Sequence, residues 1–239
     1  MSKSDQHRDY LQSSEVDFFM KHLFVQVSSL RPEDSIQFSI DYFKRIQSCQ
    51  HVLGAEYSFI AACKSNRRAF IFCLMETFQT FNYEEEMSTI EYQQIIEMIC
   101  PDFPRKIIAD AVAPLDRPKA ANVTTKYAHG EFRIALFFSI VYEEWLKYIE
   151  TIFREEGSLD CLGLFRLRAY LEDCRNNWSI SFAQPHSASI DDALQGFTGS
   201  EISFYAFLRA LFANKIIQED VCSSPNKSVK LLDNVKAPI

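Results

Sequence analysis

The sequence has few glycines and prolines and no long apolar run. Only 6 glycines and 8 prolines occur among 239 residues, whereas 47% of the residues are hydrophobic and 14% are aromatic. Scarce turn formers argue against a fold of many β-turns, and abundant apolar residues argue against disorder. The longest apolar stretch, residues 134–142, is interrupted by Ser139 and is too short to cross a bilayer. The composition therefore predicts packed helices around a substantial core.

The chain also lacks an excess of positive charge, a paired-cysteine pattern and an apolar N-terminal signal. Its net charge is −7 and its pI is about 5.3, which argues against binding to nucleic acid or to other polyanions. The 7 cysteines include no C-x-x-C pair, as expected of reduced thiols. The first residues are polar. We expect a soluble intracellular protein with no nucleic-acid or membrane partner.

Motifs for catalysis are absent as well. There is no G-x-S-x-G, Walker A, G-x-G-x-x-G or H-E-x-x-H motif. Cys49 and His51 could offer two metal ligands, but no second pair stands at zinc spacing. We therefore expect no catalytic, cofactor-binding or metal-binding residues, and we predict that the chain is not an enzyme.

Residues 14–48 have the pattern of two short amphipathic helices. Ser14 can cap the first helix, and Pro32 fits the first position of the second helix because a missing N–H costs nothing there. The apolar arc of the first helix is wider than one neighbouring helix can cover. We predict that it forms a partner or dimer interface of Val16, Phe19, Met20, Leu23, Phe24 and Val27. The predicted hairpin core on the second helix consists of Ile36, Ile40 and Phe43.

This pattern resembles the RIIα-type dimerisation/docking module of protein kinase A regulatory subunits. The second helix supplies the apolar-x-x-Tyr-Phe-x-x-apolar core of that module with Ile36, Ile40, Tyr42, Phe43 and Ile46. The resemblance implies that two hairpins pair into an antiparallel four-helix bundle, whose first helices form a groove for an amphipathic helix. The bulk of Phe19, Met20 and Phe24 departs from kinase A subunits and could fill that groove. An ordinary intramolecular hairpin is the alternative.

Helical periodicity continues through the rest of the chain. Further helices are predicted at about residues 67–81, 89–99, 105–113, 129–154, 159–175, 190–194 and 202–217. We predict a helical domain over residues 49–222, with a polar N-terminal tail at 1–13 and a C-terminal tail at 223–239.

Two connections, at residues 87–92 and 200–204, have the shape of EF-hand helix–loop–helix units. Ile90 and Ile202 would stand at loop position eight, where an aliphatic residue pairs two loops. The residues at positions one and twelve are then Tyr83 and Gln94 in one loop, and Gln195 and Ala206 in the other. Calcium needs carboxylates at both ends. We expect degenerate, calcium-dead units, with generic helical turns as the alternative.

Several segments resemble, in order along the chain, the centriolar satellite-associated tubulin polyglutamylase complex regulator family. They are residues 49–53, 56–59, 66–67, 91–92, 100–104 and 203–211. Subunit 1 of the tubulin polyglutamylase complex is a more distant match through Arg31-Pro32-Glu33 and Tyr42-Phe43. The chain is expected to lack the long polar C-terminal extension of the animal regulator.

The resemblance implies an all-α, non-catalytic adaptor or regulator in microtubule polyglutamylation. It would act in the cytoplasm and cytoskeleton, at the centrosome, centriolar satellites or cilium. Its implied partners are protein subunits of the polyglutamylase complex, a second copy through the hairpin, and tubulin indirectly. One alternative is an RIIα-type docking protein that binds an amphipathic anchoring helix in a ciliary or signalling assembly. The other is an EF-hand-derived sensor.

Overall fold

The computed structural model describes residues 15–82, 84–115, 125–160, 163–167, 169, 185, 187–195 and 201–222. These residues are mostly helical, so the all-α prediction is confirmed. The first helices are α1 Val16–Leu30, α2 Ser35–Gln47, α3 Tyr57–Ala61, α4 Lys64–Phe78, α5 Thr89–Glu97 and α6 Arg105–Val112. They are followed by α7 His129–Val141, α8 Glu143–Glu156, α9 Ser187–Leu194, α10 Phe204–Ala213 and α11 Lys215–Cys222. The two short strands are β1 Glu86–Ser88 and β2 Lys126–Ala128. The predicted tails lie outside the described residues.

The described chain divides into two compact units. The first combines the residues up to Leu74 with Ile96–Phe103, and the second combines Met75–Ile95 with the residues from Pro104 onward. The predicted hairpin lies in the first unit.

The hairpin begins and turns at residues other than those predicted. Helix α1 begins at Val16 after Glu15, and Ser14 lies outside the described residues. Pro32 precedes α2 without entering it, because the Asp34 side chain accepts hydrogen bonds from the backbone N–H groups of residues 36 and 37, at 3.0 and 2.8 Å. A carboxylate at this position satisfies donors that the helix itself leaves unpaired.

The rest of the first unit is a platform, which we define as residues 50–74 together with Ile96–Phe103. The backbone N–H of Gly54, at φ +71°, donates to the Ile99 carbonyl over 2.8 Å. Asp102 Oδ1 accepts from the backbone N–H of Tyr57 over 2.8 Å. The ring of Phe103 lies 5.2 Å from that of Tyr57. These contacts tie the two parts of the platform together without any residue of the hairpin.

The helix predicted at about residues 67–81 begins earlier, at Lys64, so Asn66 lies inside α4 and does not cap it. Its side chain is fully buried, donating to the Phe59 carbonyl over 2.7 Å and lying 2.9 Å from Nε2 of His51. A buried amide needs such partners, and they come from distant positions in the chain.

The second unit is organised around a small antiparallel sheet. Strands β1 and β2 pair with Met87 opposite Tyr127, and each strand leads directly into a helix, α5 or α7. Tyr92 of α5 stacks on Phe132 of α7, with ring centroids 3.6 Å apart. Helix α7 is buried on nearly all sides. Two further loops are also joined by antiparallel pairing, through an isolated bridge between Leu159 and Ile202.

Two segments that apolar periodicity predicts to be single helices are each divided into two helices in the structure. The predicted helix at residues 129–154 is interrupted at Tyr142, and the adjacent acidic residues 143 and 144 favour a new helix N-terminus there. The predicted helix at 202–217 ends before Asn214, whose side-chain oxygen caps α11 by accepting from the N–H groups of Ile216 and Ile217.

The register of β1 corrects one EF-hand assignment. Met87, not Ile90, is the residue that pairs two loops, and Ile90 is exposed on α5. Ile202 does pair, with Leu159 as its partner.

Candidate docking surface

The two helices of the hairpin are joined by a chain of side-chain hydrogen bonds. The Tyr42 hydroxyl donates to the Phe19 carbonyl over 3.2 Å and lies 2.8 Å from Nδ1 of His22. Since the hydroxyl has one proton to donate, it accepts from His22, which fixes the Nδ1–H tautomer of that histidine. Burial lowers the pKa of His22. Burial, with a smaller effect of the Cys63 thiol, raises the pKa of Tyr42 to about 12. Both groups are therefore neutral at physiological pH.

The inner side of α1 is covered by the platform of the same chain. The ring of His22 lies 4.6 Å from that of Phe59, and the ring of Phe19 lies 5.7 Å from that of His51. Phe19 and Leu23 are buried. Burial also lowers the pKa of His51, so this contact is made by a neutral imidazole.

A single carboxylate fastens the start of α1 to the platform. The two side-chain oxygens of Glu15 accept hydrogen bonds from the backbone N–H groups of Lys64 and Ser65, each 2.8 Å long. These are donors at the N-terminus of α4, where negative charge is favoured. Burial alone would raise the pKa of Glu15, but the hydrogen bonds from Ser65 and Lys64 outweigh it and lower that pKa.

Helix α2 presents an apolar stripe that none of the described residues covers. Ile36, Ile40 and Phe43 are 76%, 45% and 39% exposed, and α2 contains no buried residue at all. Within one copy of the chain these three residues are therefore not the core of the hairpin. The physical reason is that the Phe19 and Leu23 side chains of α1 face the platform and not α2. Helix α2 therefore contacts α1 through Tyr42, and its apolar stripe stays exposed.

The residues assigned to an interface on α1 fall into three groups. Met20 and Phe24 are 49% and 73% exposed. Val16 and Val27 are half-buried, whereas Phe19 and Leu23 face inward. The structure thus separates the predicted α1 stripe into an inner side and an outer side.

Exposed apolar side chains are concentrated in the hairpin. Among the described residues, seven of the thirteen exposed large hydrophobic side chains lie between residues 20 and 43: Met20, Phe24, Val25, Leu30, Ile36, Ile40 and Phe43. We call Ile36, Ile40 and Phe43 the α2 stripe, and Met20 with Phe24 the outer α1 stripe. Exposed apolar side chains grouped in this way are typical of surfaces that contact other proteins, so these two stripes form the candidate docking surface.

The described residues offer little for chemistry. No group of three His, Cys, Asp or Glu side chains among them could hold a metal ion. Burial raises the pKa of the Cys63 and Cys100 thiols to about 12, which suppresses the reactive thiolate. No helix in the described part of the chain is long and apolar enough to cross a membrane.

A mostly helical structure whose described residues include an exposed apolar helix face has the kind of surface found in protein-binding modules. Curated relatives agree in carrying one name, centriolar satellite-associated tubulin polyglutamylase complex regulator 1. The zebrafish (Danio rerio) protein is 21% identical over 256 residues, covering 94% of this chain and 76% of the relative. The human protein is 26% identical over 253 residues, covering 92% and 74%. The mouse protein is 27% identical over 153 residues, covering 62% of this chain and 45% of the relative.

These relatives confirm the resemblance that the ordered segments of the sequence indicated. The chain is similar to this tubulin polyglutamylase complex regulator along most of its own length, at 21% to 26% identity. No family model matches the chain, and no solved structure matches it.

Proposed function

We propose that the chain is a non-catalytic adaptor that regulates a tubulin polyglutamylase complex, and that the α2 stripe joins it to other proteins. The observation that carries this proposal is that a 13-residue amphipathic helix has no buried residue. Helices this short draw most of their stability from packing of the apolar face. The names of the relatives supply the assembly in question and favour a location at the centrosome and centriolar satellites.

The first occupant of the α2 stripe is a second copy of the chain. Its three residues follow the i, i+4, i+7 spacing of a single helical face, and a second α2 offers the same spacing in return. A two-fold contact of this kind is self-complementary and closed, so it ends at a dimer.

The outer α1 stripe then remains for a different subunit of the complex. Met20 and Phe24 stand one helical turn apart, as required for contact with the apolar face of another helix. The same stripe is what favours the second candidate function, an RIIα-type docking protein that binds an amphipathic anchoring helix. Tubulin is reached through the other subunits, because a chain of net charge −7 is repelled by acidic tubulin tails.

Two charge substitutions test the proposal by separating the surface from the interior. Ile40→Glu should retain near-native helicity and a cooperative melt but lose self-association, whereas co-purification with the complex through the outer α1 stripe should persist. Leu23→Glu should instead lower the melting temperature strongly, because an unpaired charge in a buried contact costs several kcal/mol. Circular dichroism, sedimentation velocity and affinity purification with mass spectrometry measure these outcomes.

Gln37→Glu is the matched control, since it adds the same charge to an exposed position of α2 outside the stripe. It replaces the 3.0 Å hydrogen bond from the Gln37 side chain to Asp41 with two like charges, so it should lower the melting temperature slightly and leave assembly unchanged. If Ile40→Glu assembles as well as the control does, the α2 stripe is not an interface and the proposal fails.

A further inference from the structure

The hairpin is attached to the platform at a small number of points. The hydrogen bonds from Lys64 and Ser65 to Glu15 fasten the start of α1, and ring contacts with His51 and Phe59 cover its inner side. The Glu15 backbone adopts φ +56°, a left-handed conformation that is unfavourable for a residue with a β-carbon. The carboxylate contact is therefore made at a strained position.

The other end of the hairpin has the features of a pivot. Cys49, between α2 and the platform, also lies in the left-handed region, at φ +59°. Beyond it, the platform is held by contacts of its own, from Gly54 to Ile99 and from Tyr57 to Asp102. The hairpin likewise has an internal link, through the Tyr42 hydroxyl. The hairpin and the platform are joined by the Glu15 carboxylate and by ring contacts of α1 with His51 and Phe59. At Cys49 they are also joined by a 3.3 Å hydrogen bond from the Cys73 thiol to the Cys49 carbonyl.

We propose that Glu15 is a latch: its carboxylate holds the hairpin docked on the platform, and its release lets the hairpin swing about Cys49 and uncovers Phe19 and Leu23. Release would add these two side chains to the outer α1 stripe and so enlarge the surface available to a partner helix. A partner that binds the uncovered side chains shifts the chain toward the released form, because it has differential affinity for that form.

This inference rests on the proposed docking function and adds its regulation. The docked chain exposes the α2 stripe but keeps half of α1 covered. Self-association through α2 is therefore available in both forms, whereas full access to α1 requires release. The platform covers the inner side of α1 and so prevents a partner from binding there, which makes the contact between the hairpin and the platform autoinhibitory.

The latch can be tested on the full chain without any partner, by hydrogen exchange and thiol labelling. The Cys63 side chain is buried and hydrogen-bonded to Glu15. Because burial and, in addition, the Glu15 carboxylate raise the pKa of that thiol, labelling of Cys63 counts as release only where amide exchange of α1 speeds up with it. Glu15→Ala should speed both the labelling of Cys63 and the amide exchange of α1 roughly tenfold or more, the range expected for loss of hydrogen bonds to a charged group. Glu15→Gln, which keeps one acceptor oxygen, should be intermediate.

A second variant reaches the latch from the platform side. Ser65→Pro removes one of the two N–H donors at a first-turn position of α4 where proline is tolerated. Combined with Glu15→Ala, it should add little, because both substitutions break one contact. Glu33→Ala is the control: it removes an exposed carboxylate of the same hairpin and should change nothing.

Cys100, fully buried in the platform, distinguishes release from unfolding. The latch predicts that Cys63 becomes reactive while Cys100 stays protected. Unchanged labelling of Cys63 in Glu15→Ala, or equal exposure of both thiols, would overturn the inference. Sedimentation of the unsubstituted chain reports separately on self-association, so the latch and the docking function can fail independently.

Discussion

His129 is enclosed by aromatic rings at the start of α7. It is fully buried, and its ring centroid lies 4.7 Å from that of Phe78. Burial, aided by the positive charge of Arg133 one turn along, lowers the pKa of His129 to about 4, although the Phe78 backbone partly offsets this. Such a residue is tolerated only as a neutral imidazole.

This residue should make the stability of the second unit depend on pH. The pKa of His129 in the folded chain lies below its ordinary value of 6.5, so the unfolded chain binds the proton first as the pH falls. Stability should therefore decrease from about pH 6.5 down to about pH 4, by up to roughly 3 kcal/mol. Urea unfolding at a series of pH values measures the loss.

His129→Leu is the matched variant, because it fills a similar volume without a titratable group. Its free energy of unfolding should exceed that of the unsubstituted chain, by more at pH 5 than at pH 8. An equal difference at both values would mean that the histidine does not titrate in this window.

At the junction of β1 and α5, the side chains of Ser88 and Glu91 cap the start of the helix. With Met87 as the pairing residue of the loop, Glu91 falls at position twelve, where an EF-hand carries its bidentate carboxylate. Glu91 instead accepts hydrogen bonds from the Ser88 backbone N–H and hydroxyl, at 2.7 and 2.8 Å, and these bonds lower its pKa. The Ser88 hydroxyl in turn accepts from the Glu91 backbone N–H over 3.3 Å, so the two residues form a capping box. The Glu91 carboxylate is therefore engaged in hydrogen bonds and is not free to bind a cation.

Calcium should therefore leave the melting temperature unchanged at millimolar concentration, since a ligand that binds the native state alone must raise it. Glu91→Gln should lower the melting temperature slightly, equally with and without calcium. A rise of several degrees that a chelator abolishes and magnesium does not reproduce would show a sensor, the third function considered from the sequence.

The elements also show what the sequence could and could not predict. Helices were predictable because apolar residues recur at helical spacing, but breaks at Tyr142 and Asn214 depend on local capping that periodicity does not see. Strands β1 and β2 have three residues each, too few for any period. Both hairpin helices carry apolar stripes, and only contacts with Phe59 and His51, distant in sequence, decide which stripe is covered.

At the scale of the whole molecule, the sequence contains no nucleotide-binding motif, so we expect no ligase activity from the chain alone. Addition of glutamate to a tubulin tail consumes ATP and needs ligands for phosphate and Mg²⁺, which the sequence does not show. The purified chain, incubated with ATP, glutamate and microtubules, should add no glutamate. Radiolabelled glutamate incorporation measures this, with an active ligase complex as the positive control. Incorporation by a ligase-free preparation would contradict the adaptor function.

The uncovered α2 stripe also has a consequence for the fate of the chain in a cell. An apolar helix face left in water attracts chaperones and the degradation machinery as readily as it attracts its proper partner. Copies of the chain made in excess of its partners are then expected to be degraded. Under the proposed docking function, its steady-state abundance should consequently follow the supply of its partners, so that the same stripe would set both where the protein binds and how much of it persists.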